Sequence, residues 1–307
     1  NSIAIGNSAA YNQQGPNSIA IGSYSGQNEQ SQNSISIGNN AGSNNQGANA
    51  ISIGVNSGQD NQGLYSIAIG NTSGASDQNP NAIAIGNQAG QRIQGDSSIA
   101  IGNQAGSNQQ STCSIAIGCN TATDSQLENS IAIGNTAGQY SQGNQAVAIG
   151  NLAGYTNQGQ YSVAIGTSAG DTNQGSQSVA LGLDAGHYYQ GSSSIAIGYF
   201  AGYTGQNQNS VAIGPNAAND TQGMNSVAIG NFAGFTGQGD NSIAIGANAG
   251  SLTQGTNAVA IGQQAGTVSQ GVNCIAIGQQ AGQTSQPNNS IVINASGVAV
   301  NGATQSA

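Results

Sequence analysis

Residues 129–143 read NSIAIGNTAGQYSQG, and close variants of this phrase begin at Asn1, Asn17 and Asn33. Counted in sixteens from the first residue, residues 1–288 divide into eighteen repeats without insertion or deletion. A fixed short period is typical of a solenoid, in which each repeat forms one coil. We therefore predict eighteen coils over residues 1–288, then a final partial coil and the start of a C-terminal transition over residues 289–307.

Each repeat contains one clear strand signal. The third repeat position is always Ile or Val, the fourth is nearly always Ala, and the fifth is Ile except at Leu181. β-Branched residues at alternate positions predict a short strand. Gly at the sixth position of all eighteen repeats, and at most tenth and fifteenth positions, supplies positive φ or close backbone approach for turns. The predicted fold is all-β, a parallel β-roll or β-solenoid with 16-residue coils.

The predicted strand has two apolar faces. The Ile and Val side chains point one way, while Ser or Ala at the second position and Ala at the fourth point the other way. One face would fill the core of the coil and the other would pack against a second copy of the chain. The pattern leaves open which face does which. Core or interface positions are Ile5, Ile21, Ile133, Val163, Ile197 and Ile245.

The fourteenth position is Gln in all eighteen repeats. In a stack of coils, each side-chain amide can donate to the amide carbonyl of the next coil, so a buried column of Gln satisfies itself. A Gln facing solvent would not need to be Gln every time. We predict an inward or half-buried ladder that includes Gln14, Gln46, Gln94, Gln142, Gln190, Gln238 and Gln286.

Charge is scarce in this chain. It contains ten acidic residues, one Arg (Arg92), one His (His187) and no Lys, which gives a net charge of −9. No basic patch for nucleic acid or for an anionic membrane surface can be built from these residues. No run of about 20 apolar residues is present, so we expect no direct membrane insertion of this segment. Asn1 is not an initiator Met, and we expect the chain to be a fragment of a longer protein.

Signals for catalysis, cofactors or metals are weak. His187 has Asp184 three residues before it, but without a nucleophile motif such a pair is more typical of a surface contact. The acidic residues form no regular column, unlike those of a calcium-binding β-roll. Cys113 and Cys119 would lie too far apart along a strand for a disulfide, and Cys274 is ten repeats away. We predict no enzyme activity, no metal site and no cofactor.

The recurring Asn-Ser-Ile/Val-Ala-Ile-Gly phrase, followed by a small residue and Gly, resembles the YadA-like head repeats of trimeric autotransporter adhesins over residues 1–294. This resemblance implies a left-handed parallel β-roll, a homotrimer, and an extracellular location on a surface stalk. The uniform period of 16 and the Ala-Gly and Gln-Gly pairs are similar to the version found in fibre proteins of large DNA viruses and phages. The resemblance therefore implies a shaft or head of a trimeric fibre on a virion or cell surface, with a role in attachment.

Aromatic residues gather in repeats twelve to fifteen. Exposed rings at similar heights could stack on the sugar faces of a host glycan, or they could pack on one another between coils and seal a trimer groove. The alternative function is therefore a bacterial adhesin head that binds host matrix, a surface protein or a glycan. An ice-binding solenoid is disfavoured because Thr is scattered rather than ranked. The candidate receptor patch consists of Tyr188, Tyr189, Tyr199, Phe200, Tyr203, Phe232 and Phe235.

Overall fold

A computed structural model describes residues 1–301. The C-terminal transition predicted within residues 289–307 therefore lies partly outside the described residues, from 302 onward. The chain divides into two compact units, Asn1–Tyr155 and Thr156–Ala307. Each unit is built from short parallel strands and turns, and the described residues contain no helix that could cross a membrane.

In the first unit, one set of strands carries the Ile-Ala-Ile motif and the other ends at the invariant Gln. The Ile strands are β1 (Ile3–Ile5), β3 (Ile19–Ile21), β5 (Ile35–Ile37), β7 (Ile51–Ile53), β9 (Ile67–Ile69), β11 (Ile83–Ile85), β13 (Ile99–Ile101), β14 (Ile115–Ile117), β16 (Ile131–Ile133) and β18 (Val147–Ile149). The Gln strands are β2 (Asn12–Gln14), β4 (Asn28–Gln30), β6 (Asn44–Gln46), β8 (Asp60–Gln62), β10 (Ser76–Gln78), β12 (Arg92–Gln94), β15 (Asp124–Gln126) and β17 (Tyr140–Gln142).

The second unit repeats the same two sets. Its Ile strands are β20 (Val163–Ile165), β21 (Val179–Leu181), β22 (Ile195–Ile197), β24 (Val211–Ile213), β26 (Val227–Ile229), β28 (Ile243–Ile245), β30 (Val259–Ile261), β32 (Ile275–Ile277) and β33 (Ile291–Ile293). Its Gln strands are β19 (Thr156–Gln158), β23 (Thr204–Gln206), β25 (Asp220–Gln222), β27 (Thr236–Gln238), β29 (Leu252–Gln254) and β31 (Val268–Gln270).

Within each unit, neighbouring coils pair in parallel with a register of sixteen residues. Ile3 lies opposite Ile19 in the first unit, and Ile195 lies opposite Val211 in the second. The prediction of an all-β parallel β-solenoid with 16-residue coils is confirmed. After β33, the chain continues along the preceding coil, where Val300 forms a parallel bridge with Ala281.

Two glycine positions have distinct physical reasons. At the sixth position φ lies near +130°, as at Gly230, where an added Cβ would sit 2.8 Å from the backbone of Gly246 in the next coil. At the tenth position φ is near +50°, and an added Cβ would lie too close to the buried Gln side chain. At Gly202, for example, it would lie 2.8 Å from Gln206 Oε1. Both therefore favour Gly strongly, although Ala occupies the tenth position at Ala122.

At the fifteenth position, the second of the two expected reasons for Gly applies, which is close backbone approach. Gly15 does not have positive φ, and its constraint is the close approach of the next coil, because a Cβ would lie 2.5 Å from the backbone of Ser31. Left-handed conformations occur instead at the first, eighth and thirteenth positions, as in Asn129, Asn216 and Asn173. Asn tolerates this conformation better than most residues, which explains its preference for the first position.

The interior of each coil is filled by small residues and Gln. Ala at the fourth and ninth positions is fully buried, as at Ala196 and Ala201, and so is Ser or Ala at the second position, as at Ser194. The Ser194 hydroxyl donates to the carbonyl of Gly191 at 2.6 Å, so the buried hydroxyl is satisfied. The small face of the Ile strand therefore points inward, and the coil closes without its large aliphatic side chains.

Candidate functional site

The invariant Gln side chains lie inside the coils and join neighbouring coils. Gln206 Nε2 donates to the carbonyl of Ile195 at 2.8 Å and to Gln222 Oε1 at 3.1 Å, and Gln206 Oε1 accepts from Gln190 Nε2 at 3.2 Å. Of the predicted ladder residues, Gln14 in the first coil is half-buried. The following predicted ladder residues are buried: Gln46, Gln94, Gln142, Gln190, Gln238 and Gln286.

The ladder is interrupted at several coils. The Oε1 atoms of Gln30, Gln110, Gln126 and Gln174 are buried without a hydrogen-bond partner among the described residues. The donation from each Gln Nε2 to the carbonyl at the third repeat position persists in these coils, as from Gln110 to Ile99 at 2.8 Å. The hydrogen bond from each Gln to the third-position carbonyl of its own coil is therefore more regular than the Gln–Gln hydrogen bond between neighbouring coils.

The large aliphatic side chains lie on the outward face of the Ile strands. Ile5 and Ile245 are exposed, whereas Ile21, Ile133, Val163 and Ile197 are half-buried. The alternative in which these side chains fill the core of their own coil is wrong, because Ala and Ser already occupy that space. Each unit therefore presents an in-register column of Ile and Val to its surroundings, which we call the Ile column.

Four residues of the candidate receptor patch form one group with His187, and two of them contact its ring directly. The ring of His187 lies 4.0 Å from that of Tyr188 and 5.0 Å from that of Tyr203, measured between centroids. Phe200 contacts Tyr203 at 4.8 Å and Tyr199 at 4.4 Å. These five rings form the His187 cluster, in which Tyr188 and Tyr199 are exposed and Phe200 and Tyr203 are half-buried.

The other patch residues lie apart from this cluster. Phe232 and Phe235 form a separate pair with centroids 5.0 Å apart. Tyr189 is 64% exposed and makes none of the ring contacts that join the cluster. The rings thus pack on one another in part, while Tyr188, Tyr189 and Tyr199 keep large exposed areas.

A scan against protein-family models supports the resemblance seen in the sequence. The model described as the YadA head domain repeat matches residues 62–89, 206–233, 238–249 and 254–281. These four segments match the YadA head repeat. A search of curated proteins finds no match for this chain. Heads of the YadA family are homotrimeric and exposed on the cell surface, and their fold is typical of non-enzymatic proteins.

Two carboxylates complete the His187 cluster, which lies outside the matched segments. His187 Nε2 lies 3.5 Å from Asp184 Oδ1 and 3.9 Å from Asp171 Oδ2. The Thr172 hydroxyl donates to Asp171 Oδ1 at 2.8 Å. His187 Nδ1 is buried and has no hydrogen-bond partner among the described residues. The interpretation of His187 and Asp184 as a surface pair is therefore wrong, because their side chains are only 12% and 19% exposed and belong to a cluster that spans adjacent coils.

Burial changes the acidity of two groups in the cluster. It raises the pKa of the Asp184 carboxyl above its ordinary value of 3.8, the nearby His187 opposes this shift, and the negative charge of Asp171 adds to it. Burial also raises the pKa of the Tyr203 hydroxyl, and Tyr188, Asp184 and Asp171 act in the same direction. Ionisation of Asp184 and Tyr203 is thus disfavoured where the rings meet.

Asp171 was missed as a member of the patch in the sequence analysis. Asp171, His187 and Tyr203 all occupy the eleventh repeat position in consecutive repeats, so their spacing of sixteen places them in one column. That signal was available from the period alone. Within residues 1–301, no group of three or more His, Cys, Asp or Glu residues has a metal-binding arrangement.

Proposed function

We propose that this chain is the shaft or head of a homotrimeric extracellular fibre, on a virion or a cell surface, that mediates attachment. The Ile column carries the proposal of assembly. Its side chains are large and apolar and they recur every sixteen residues, yet the coil interior is complete without them. Contiguous apolar stripes of this kind are typical of protein–protein interfaces. We propose that residues 289–301 form the final partial coil of this fibre.

Burial of the Ile column supplies the driving force for assembly. Ile229, Ile245 and Ile261 are each 36% exposed, so about a third of each side chain remains to be removed from water. Full burial of an Ile side chain contributes about 1.5–3 kcal/mol of free energy, so burying the exposed third of each Ile contributes a fraction of this value. Because the column repeats in every coil, these small gains accumulate along the stack.

The test is the native mass of the particle in solution by light scattering. We expect three times 30.0 kDa for the natural chain. The variant Ile197→Thr, Ile213→Thr, Ile229→Thr keeps β-branched residues but makes three successive coils of the column more polar. We expect its trimer to dissociate at a higher protein concentration than the natural trimer, with its circular dichroism unchanged. The matched control is Asn231→Thr, at an exposed position outside the column. A natural chain that is monomeric would overturn the proposal.

The virion or phage context is supported by the uniform period of 16 and the repeated Ala-Gly and Gln-Gly pairs. The second candidate, a bacterial adhesin head, is favoured by the exposed rings of the His187 cluster. Either way the attachment surface would be the candidate receptor patch. Replacing Tyr203 and Phe235 by Ser should abolish attachment to target cells while the trimer persists. Unchanged attachment of that variant would rule out the patch.

A further inference from the structure

In three consecutive coils of the second unit, aromatic residues alternate with Asn at the eighth and eleventh repeat positions. Residues 193–208 carry Phe200 and Tyr203 at the eighth and eleventh repeat positions, and residues 225–240 carry Phe232 and Phe235 at the same positions. We call these two pairs the aromatic platforms. Each is internally packed, with ring centroids 4.8 Å and 5.0 Å apart.

The intervening coil, residues 209–224, places amides between the platforms. Asn216 and Asn219 occupy its eighth and eleventh positions, and both are half-buried. The three coils are in register, because Asn216 N donates to Tyr199 O at 2.8 Å and Phe232 N donates to Pro215 O at 3.1 Å. Neighbouring coils are about 4.8 Å apart, so the platforms are separated by about 10 Å.

The charge of the second unit restricts the partner. Residues 156–307 contain no Lys or Arg, and His187 is their only basic side chain. Asp171 and Asp184 already face that imidazole, and Asp220 lies in the intervening coil. A sialylated or sulfated glycan would meet negative charge with no basic group to neutralise it. The surface thus favours an uncharged glycan over an anionic one.

We propose that the two platforms bind an extended, uncharged β-1,4-linked polysaccharide that runs along the coil stack. This inference rests on the proposed attachment function and names the class of ligand. In such a chain, alternate sugars present the same ring face, and this repeat is about the length of two coils. The apolar faces of alternate sugars stack on one ring of each platform, because the two rings of a pair are inclined to each other at 54° and 66°. The amide of Asn216 and the side-chain carbonyl oxygen of Asn219 form hydrogen bonds with the hydroxyls of the sugar between them, while Asn219 Nδ2 donates to the carbonyl of Phe200 at 3.3 Å.

The neighbouring coil extends this surface. Tyr199 is 50% exposed and Tyr188 is 39% exposed, and both border the first platform through Phe200 and Tyr203. Aromatic rings have few rotatable bonds and lose little entropy on binding, so they suit repeated weak stacking. Packing within each platform further limits ring motion before the ligand arrives.

The experiment is affinity electrophoresis of the full chain in gels with three polysaccharides. Hydroxyethyl cellulose supplies an uncharged β-1,4 chain, carboxymethyl cellulose supplies the same backbone with negative charge, and dextran supplies an uncharged chain of different linkage. We expect retardation by the first probe alone. Replacing Phe232 and Phe235 by Ser should weaken binding about tenfold. Tyr161→Ser, which removes an exposed ring outside the platforms, should have no effect.

A pair of deletions tests the spacing. Removing residues 209–224 takes out one complete coil and leaves both platforms, but brings them from two coils apart to one. Removing residues 241–256 also takes out one complete coil and keeps the original spacing. Circular dichroism and native mass check that both variants fold and assemble. We expect the first deletion to weaken binding as much as loss of a platform, and the second to leave it unchanged.

Each outcome bears on one proposal. Lack of retardation by hydroxyethyl cellulose, equal retardation by carboxymethyl cellulose or dextran, or full binding after removal of residues 209–224 would overturn the polysaccharide inference. Attachment to cells and the native mass, measured on the same preparations, report on the proposed function separately. A trimer that attaches to cells but ignores hydroxyethyl cellulose would retain the proposed function and refute only the ligand.

Discussion

At the scale of single residues, the environment of the buried Gln explains why the fourteenth position carries no charge in any of the eighteen repeats. Its amide both donates and accepts inside the coil, as Gln206 does with Ile195, Gln190 and Gln222. A carboxylate at the same place could only accept, and would lie close to the carbonyl of Ile195. An inward charge would also be repeated from coil to coil, where desolvation is costly.

We therefore predict that Gln206→Glu lowers the free energy of unfolding by about 3–5 kcal/mol at neutral pH, because it leaves an unpaired buried charge. Acidic pH should recover part of the loss, since a protonated Glu can donate a hydrogen bond. Gln208→Glu, two residues away and exposed, is the matched control and should change stability by less than about 0.5 kcal/mol. Thermal unfolding at two pH values measures both, and equal stability of the two variants would contradict a structural role for the ladder.

Glycine substitutions separate steric exclusion from backbone preference. Gly230 has φ of +127° and a Cβ there would lie 2.8 Å from the backbone of Gly246. Gly237 has φ of +65°, and a Cβ there would make only an ordinary van der Waals contact with the backbone of Thr253 at 3.8 Å. We expect Gly230→Ala to destabilise by at least about 3 kcal/mol and Gly237→Ala by only about 1 kcal/mol. Denaturant titration measures the unfolding free energy of each variant. Similar losses of stability in the two variants would mean that the next coil does not exclude a Cβ at Gly230.

The raised pKa of Asp184 makes stability depend on pH. Because its folded pKa lies above the ordinary 3.8, the folded state binds more protons than the unfolded state just above pH 3.8. Its contribution to stability therefore falls as pH rises from 3.8 through the folded pKa. Asp184→Asn should remove this slope, whereas Asp220→Asn, at an exposed carboxyl, should keep it. Melting temperatures between pH 3 and pH 7 test this, and an unchanged slope in Asp184→Asn would refute it.

At the scale of elements, the period predicts the strands but not the direction of their faces. Ser-Ile-Ala-Ile places apolar groups on both sides of the strand, so alternation alone leaves the inner face open. Size decides it, because the coil closes around Ala, Ser and Gln with Ala196 and Gln206 fully enclosed. The His187 cluster was only partly foreseen, because its ring contacts depend on side-chain directions at the turn, which the sequence pattern does not specify.

Exact register between coils predicts how the stack responds to deletions. Removing residues 257–272 deletes one complete coil and restores the sixteen-residue register at the junction, so we expect a folded protein with a slightly lower melting temperature. Removing residues 257–264 deletes half a coil and brings Gly-turn positions opposite strand positions, so the pairing on either side is lost. Circular dichroism and thermal unfolding distinguish the two deletion variants. Equal stability of the variants would mean that stacking of the coils does not depend on the sixteen-residue register.

At the scale of the whole molecule, the composition leaves trypsin a single cleavage site. Arg92 begins β12, where its backbone N–H donates to the carbonyl of Ser107 at 3.0 Å and where it pairs with Ser76. A protease must bind an extended segment, so cleavage requires the surrounding coils to open. We expect the native protein to resist trypsin, and the heat-unfolded protein to give fragments of residues 1–92 and 93–307. The Arg92→Gln variant should remain intact in both the native and the unfolded state, which would show that trypsin cleaves after Arg92. Rapid cleavage of the native protein at Arg92 would show instead that the stack opens locally there without global unfolding.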